Sequence, residues 1–591
     1  MEKANKDTQI NRLILKTLIP NFTSELSLSS TSIVDGIICG MFYGKGGLAA
    51  VGMGAPILSV FTIAAGILGT GNSVICSRLI GKSSREESNR CYSLAILWSV
   101  FWSVLLSVFC IGGAGMIAGW FCGSSNPEVM YSVASYIFGF SFSAAFIIFR
   151  QLLIPMINME GGNHYIHISG VVILVSDGVA DYISCAVFNA GTFGLGFASA
   201  LSYVAGCAVL LLFYLQKKGT VRLDFRNCFS WNRTKEIYRV GLPTAVKRLC
   251  NVLAPVFCNR FVLAITAVNG AAALSVQTSS TRFALCLVLA LSTSFLVLSG
   301  NLFAECDRTE MEDAAKAMIF HSLAWSIGLS IIFLVFTDPI VSLFVKNDPE
   351  VKKMAIYAVR WFIIGIPFMA INHTAASWFQ ATGHLSMSNA VIIADRLIST
   401  VVLVYLLGWM LGGRGVFIAY GASEIFVTVF IYLMLCIKNR RIITNISQML
   451  MLGDDYGIPA ENRLSKEFHM GDNVVGFSEQ VQNFCLEHGA NSKTSFFAAL
   501  CAEEWIVNTL SHGFKNKRQL LGVRIFVDPG KNITMRLRDD GVPFNLKERW
   551  DMIEKSEHDP SANIGIRIVH GLAKELSYNA AFGMNNTMIR L

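Results

Sequence analysis

The sequence predicts a polytopic α-helical membrane protein, with twelve transmembrane helices in two pseudo-symmetric six-helix lobes, followed by a separate water-soluble α/β domain. Three observations predict this. The first is a repeat at an offset of about 220 residues: Asn126-Pro127-Glu128-Val129 returns as Asp348-Pro349-Glu350-Val351. Other landmarks keep the register. Pro20 answers to Pro243, Gly46 through Ala50 to Gly270 through Leu274, and Gly194-Leu195-Gly196 to Gly413-Arg414-Gly415. A unit this long is not a small solenoid repeat. The second observation is composition: the chain is 53% hydrophobic and 15% charged, against about 25% charged for an average soluble chain. The third is a step in charge. Residues 1–441 carry 32 Lys/Arg and 22 Asp/Glu, whereas the much shorter 442–591 carry 16 and 18. A bilayer-solvated part therefore gives way to a water-solvated one.

A membrane span needs about 20 mostly apolar residues. Twelve stretches qualify, at roughly 20–43, 49–72, 92–115, 131–155, 166–188, 194–216, 241–265, 272–300, 318–338, 354–379, 387–410 and 416–437. Lys and Arg concentrate in the N-terminal stretch (Lys3, Lys6, Arg12, Lys16), the second loop (Arg78, Lys82, Arg85, Arg90), the mid-chain loop (Lys217 to Lys235) and the end (Lys438, Arg440, Arg441). All lie on one side if there are twelve spans, and cytoplasmic loops carry that excess. The loop with Lys346, Lys352 and Lys353 is the exception, diluted by its acids. Both termini are then cytoplasmic and the chain is multi-pass in the cell membrane. Basic surface here reports insertion and anionic lipid, not nucleic acid. The fifteen cysteines form no C-x-x-C pair, which argues against a disulfide framework or zinc site. No A-x-A-like site follows the first apolar run, so a removed signal peptide is not expected.

Ionisable groups at span centres cost at least about 2.5–3.5 kcal/mol and are functional candidates by default. Asp35 sits mid-way along the first span, and Asp177 and Asp181 sit one helical turn apart in the fifth. Two carboxylates on one helix face in low dielectric share a proton or hold a cation, which makes all three candidates for coupling to H⁺ or Na⁺. The structural alternative pairs them with Arg150 or with hydroxyls such as Ser176 and Tyr203. The matching place of the second half holds Asp395-Arg396, read as a partly neutralised structural or gating element, and Glu424 is a weaker candidate. The first half is thus the better site for ion coupling. Met53, Phe257, Phe283, Trp361, Phe368, Met369 and Trp378 are candidates to line a cavity. Pro155, Pro243, Pro255 and Pro367 interrupt or begin spans. Two such halves with a cavity between them are the usual build of a secondary transporter.

The stretch from Pro20 to Pro56, with Val34-Asp35, Tyr43-Gly44 and Leu48-Ala49-Ala50-Val51-Gly52, resembles the first two helices of the multidrug and toxic compound extrusion (MATE) antiporters. Val240-Gly241-Leu242-Pro243 resembles the opening of their second lobe, and the likeness covers most of residues 10–441. It implies two six-helix lobes and export driven by inward H⁺ or Na⁺. It also implies that Asp35 and Asp181 fall at acids of the N-lobe cation site, with Asp177 an added carboxylate where Asn is common. The seventh and tenth spans lack the second-lobe acids of some members.

In the tail, residues 496–513 show helical apolar spacing closed by Gly513. Glu504, Asn508 and His512 stand at i, i+4 and i+8 on one face, a workable site for Mg²⁺ through Asn508 with Glu504 as base. Two β-like runs, 522–527 and 533–537, lead to Arg538-Asp539-Asp540-Gly541. There an Asp ending a strand before a Gly turn is placed to accept from an adenine amino group. Asn563-Ile564-Gly565 opens a helix whose amides favour phosphate. In this order the pieces resemble the Bergerat-type ATP-binding domain shared by histidine kinases, gyrase and Hsp90, closest to anti-sigma-factor serine kinases. The resemblance implies a first box of Glu504 and Asn508, an adenine box of Asp539 and Gly541, a phosphate loop at Gly565 and a late contact at Thr587. Asn563 departs from the usual first Gly of that loop.

The expected organisation is an N-lobe (1–216), a basic linker loop (217–240), a C-lobe (241–441), a linker (442–465) and an ATP-binding domain (466–591). The expected function is cation-coupled efflux of organic cations or amphipathic solutes, with a tail that binds ATP and Mg²⁺ and engages a cytoplasmic protein. The alternatives are a membrane-anchored anti-sigma-type Ser/Thr kinase with a sensing membrane part, or a lipid-linked precursor flippase. The basic cavity a flippase favours is not evident from the sequence, although Arg150, Lys247, Arg248 and Arg260 are available for one. No G-x-x-x-x-G-K-[ST] loop occurs, which disfavours a primary ATP pump.

Overall fold

The computed structural model describes residues 2–591 except 82–83, 123–126, 217–221, 227, 343–344, 346–347, 454–455, 470, 515–520, 529–531, 546–549, 551–563 and 582–583. The side chains of some further residues inside helices and strands, Asp35, Met53 and Arg260 among them, also lie outside the described set. Helix α1 (Glu2–Gly81) opens the first half and holds its first two predicted spans. Next come α2 (Arg85–Cys122), α3 (Pro127–Phe140), a 3₁₀ turn (Ser141–Ser143), α4 (Ala144–Met159), α5 (Asn163–Ala186) and α6 (Gly191–Leu215). The second half repeats the plan. Helix α7 (Trp231–Ala304) holds the seventh and eighth predicted spans, and α8 (Arg308–Val335), the short α9 (Thr337–Ser342) and α10 (Pro349–Ala381) follow. Then come α11 (Leu385–Ile393), a π turn (Ala394–Ile398), α12 (Ser399–Leu411) and α13 (Gly413–Asn439).

The repeat is visible in where helices begin. Pro127 starts α3 and Pro349 starts α10, the position where proline's missing N–H costs nothing. Asp348 caps α10 by accepting from the amides of Glu350 and Val351, both at 3.1 Å. Among the described residues, ten helical stretches are long and apolar enough to cross a membrane. They overlap the second to sixth and eighth to twelfth predicted spans, the first of them, Ser59–Ile80, lying further along the chain than the predicted 49–72. The first and seventh predicted spans lie within α1 and α7. Pro155 falls inside α4 and Pro367 inside α10.

The two halves meet where small residues let backbones touch. A Cβ on Gly71 would come within 2.2 Å of the Ile237 carbonyl, and one on Gly241 within 2.1 Å of the Ile67 carbonyl. Gly241→Val is therefore expected to overpack this seam and cost about 1–3 kcal/mol, read as a lower melting temperature of the purified protein. Gly112→Ala is the matched control, because nothing lies within 4 Å of its added carbon.

After α13 the chain packs back on the second half through α14 (Ile446–Met449), and the Trp378 indole donates to the Leu450 carbonyl at 3.1 Å. The tail then forms an antiparallel five-stranded sheet in the order β1-β2-β3-β5-β4. Its strands are β1 (Arg463–Phe468), β2 (Leu521–Val527), β3 (Ile533–Asp539), β4 (Glu575–Ala581) and β5 (Met584–Arg590). Helices α15 (Val475–Glu487), α16 (Ser492–His512) and α17 (Ile564–Leu572) cover one face around Phe468, Trp505, Ile525, Leu537 and Ile589. Side chains alternate along a strand. Ile533, Met535, Leu537 and Asp539 of β3 thus face the helices, and Thr534, Arg536 and Arg538 face away.

Candidate functional site

Helix α5 places Asp177 and Asp181 one turn apart, both fully buried. Ser202 of α6 donates to Asp177 Oδ1 at 3.0 Å. Two of the partners the sequence suggests, Arg150 and Ser176, are engaged elsewhere. Arg150 donates to Ser24 at 3.0 Å, and Ser176 to the Ile173 carbonyl at 3.3 Å. Asp35 lies in α1, with its side chain outside the described residues.

Between the two halves lies a cavity of about 260 Å³, lined among others by Glu25 of α1, Lys247 and Arg248 of α7, His373 of α10, and Asp395 and Arg396 of the π turn. A π turn re-aims side chains relative to an α-helix and is common at functional sites. Arg396 Nε lies 2.9 Å from Asp395 Oδ2, as the adjacent charges suggested. The pair is not isolated. His373 meets Arg396, sits 3.8 Å from Asp395, and lies 3.0 Å from Lys247 Nζ. Behind it, Asn372 donates to Glu424 Oε2 at 3.1 Å and accepts from Thr428 at 2.8 Å. Glu25 and His373 were missed by sequence reasoning. An ionisable group within a span is the signal that finds them. Of the aromatic and methionine candidates whose side chains are described, none lines this cavity; Phe257 instead borders an apolar groove with Tyr405 and Trp409. At the end marked by Gln380, Arg78 of α1 donates through Nε to the Ala381 carbonyl at 3.1 Å and ties the halves together.

In the tail, Glu504 and Asn508 are half-buried on α16, and His512 is exposed at its last turn. The first turn of α17 lies against them. A Cβ on Gly565 would fall 2.4 Å from Glu504 Oε2 and 2.7 Å from Asn508 Nδ2, so only glycine permits this approach. Asn563 lies outside the described residues. Asp539 ends β3, and its Oδ1 accepts from the Gly541 amide at 2.9 Å and from Asn585 Nδ2 at 2.7 Å. Thr587 is buried on β5 opposite Leu537. An amide oxygen at Asn508 beside the Glu504 carboxylate is a donor set that suits Mg²⁺, which takes few protein ligands besides phosphate and water.

Burial pushes the Asp539 carboxyl up from 3.8 to about 6, against the hydrogen bonds from Asn585 and Gly541. With the folded pKa above the unfolded one, its support for the fold is complete below about pH 4 and is lost as pH rises to about 6. Asp539→Asn keeps the Oδ1 acceptor and removes the buried charge. It is expected to raise the tail's stability at pH 7 by up to about 3 kcal/mol, with no gain at pH 4, as read by thermal unfolding at both values.

The MatE family model matches residues 20–176 and 243–406, more than half of the chain and one piece in each half of the repeat. The chain belongs to the MATE family. Beyond the MATE part, residues 472–591 match the histidine kinase-like ATPase domain. The MATE fold is shared with an outward-facing multidrug-resistance MATE transporter of the MOP superfamily (TM-score 0.68, 21% identity, 74% of this chain and 96% of that one). It is shared too with a MOP-superfamily transporter from Pyrococcus furiosus whose reverse pocket polarity suggests a different function (0.68, 20%, 75% and 97%). The bent form of VcmN from Vibrio cholerae is also similar (0.66, 18%, 72% and 96%). An uncharacterised transporter of Bacillus subtilis (strain 168), YisQ, is 21% identical over 404 residues, 65% of this MATE chain and 85% of its own.

Proposed function

We propose that this MATE chain is a cation-coupled antiporter that exports amphipathic solutes by alternating access, regulated by an ATP-binding tail. The observation that carries the reading is a cavity lined by charged residues from both halves of the repeat, with a separate buried carboxylate pair, Asp177 and Asp181, inside the first half. Gain and loss of H⁺ or Na⁺ at that pair, with Asp35, biases the carrier between its two faces, because an ion bound more tightly in one state shifts the balance toward it. Both termini lie on the cytoplasmic side of the cell membrane, in keeping with the basic loops and with Arg12 resting on Asp540 of the tail. In the tail, Asp539 and Gly541 receive adenine, Gly565 approaches the phosphates, and Asn508 holds Mg²⁺ beside Glu504. Thr587 lies further along the same sheet face.

Within that class, the cavity's three bases, Lys247, Arg248 and Arg396, against two acids, Glu25 and Asp395, favour solutes with an acidic group over permanent organic cations. The same excess of positive charge supports a second reading, the flipping of an anionic lipid-linked precursor. Uptake into inverted vesicles under an imposed H⁺ or Na⁺ gradient separates these. Gradient-driven uptake of taurocholate in preference to ethidium is expected. Uptake of ethidium alone would reverse the substrate assignment, and flipping of a fluorescent anionic lipid without uptake of either would favour the second reading.

A further inference from the structure

The sheet face turned away from the tail's helices is a docking surface for the membrane part. It presents Arg463, Arg524, Arg536 and Arg538 to Glu305 and Asp307, which lie at the turn between α7 and α8, and to Glu310 in the first turn of α8. Arg538 lies 2.6 Å from both Glu305 and Glu310, and Arg524 donates through Nη2 to Glu310 at 2.8 Å. Arg536 lies 3.2 Å from Glu305, and Arg463 3.3 Å from Asp307. None of these seven side chains is more than 15% exposed.

The end of β3 then divides its contacts three ways. Arg538 binds the turn that belongs to the second half, Asp539 faces the helices, and Asp540 pairs with Arg12 of α1 in the first half. Three consecutive residues thus touch both lobes and the adenine position. A carrier that alternates access rocks one lobe against the other, and a sheet fastened to both resists that motion.

We infer that the tail is a clamp across the two lobes, and that a nucleotide seated at Asp539 and Gly541 releases it by drawing Asp540 off Arg12. The inference rests on the reading of the tail as a nucleotide site. The corner at 539–541 is backed by the end of α16: Val542 donates to the Gly513 carbonyl at 2.8 Å, and a Cβ on Gly541 would meet that carbonyl at 2.4 Å and Phe514 at 3.0 Å. With no room on that side, a purine placed against Asp539 displaces the corner from the position in which Asp540 meets Arg12, and that pair is lost. Coupling between sites is reciprocal, so the clamp in turn opposes nucleotide binding.

The test uses full-length protein with Mg²⁺ and the non-hydrolysable analogue AMP-PNP, following hydrogen exchange at residues 10–17 and 304–311. Analogue binding is expected to speed exchange in both segments. Arg12→Gln, at a side chain 43% exposed and so tolerant of change, is expected to bind AMP-PNP at least about fivefold more tightly and to lose the nucleotide-dependent change at 10–17. If AMP-PNP binds but exchange stays the same or slows, or if Arg12→Gln binds no more tightly, the clamp is wrong while the nucleotide site stands. If AMP-PNP does not bind at all, the nucleotide reading falls and the clamp falls with it.

Discussion

Arg538→Ala is expected to cost about 3–5 kcal/mol and to loosen the tail from the membrane part, because removing one partner from a buried ion cluster leaves the other charges stranded. Glu305 and Glu310 have side-chain exposures of 0% and 2%, and Arg538 lies within 2.6 Å of each. Burial alone would lower the pKa of the Arg538 guanidinium, yet Glu305 and Glu310 raise it beyond its ordinary value. Arg524 and Arg536 remain in the variant, but each already faces one of these carboxylates and cannot serve both. The readouts are a lower melting temperature and faster proteolytic release of a fragment beginning within 442–465. Arg590→Ala is the control: its pair with Glu575 is 45% and 50% exposed, and such surface pairs contribute about 0–1 kcal/mol. Equal effects of the two substitutions would show that the cluster does not hold the domains together.

Asp177→Asn combined with Asp181→Asn is expected to reduce gradient-driven export at least about tenfold, a loss of about 1.4 kcal/mol or more in coupling, while the protein still folds. Asparagine fills nearly the same volume and still accepts from Ser202, so packing is preserved. What disappears is the exchangeable charge. Asp177→Asn alone is expected to reduce export less than the double variant does, because Asp181 still carries a carboxyl group. Unchanged export by the double variant would move coupling to the second half, where Glu424, Asp395 and His373 are the buried groups available.

The architecture was legible because the bilayer imposes it: a span must be long and apolar, and the repeat forced the same pattern twice. Helices α3 and α10 begin at the two prolines that announced the repeat. The tail was legible through local chemistry, with β3 ending at Asp539 and α17 opening at Ile564. The cavity was not. Its members come from α1, α4, α7, α10, α11 and the π turn, and no spacing rule connects residues as distant as Glu25 and Asp395. The arginine surface was equally hidden. Arg524, Arg536 and Arg538 read as ordinary outward positions of strands, where charge normally meets water, and only the fold shows that three carboxylates meet them instead.

The most direct measurement is transport by purified full-length protein in liposomes, with taurocholate as probe and an H⁺ or Na⁺ gradient imposed in the absence of nucleotide. Uphill taurocholate movement that collapses when the gradient is dissipated is expected, with a change in its rate, not in its driving force, when ATP is added. Taurocholate accumulation that requires ATP hydrolysis and ignores both ion gradients would contradict cation-coupled antiport.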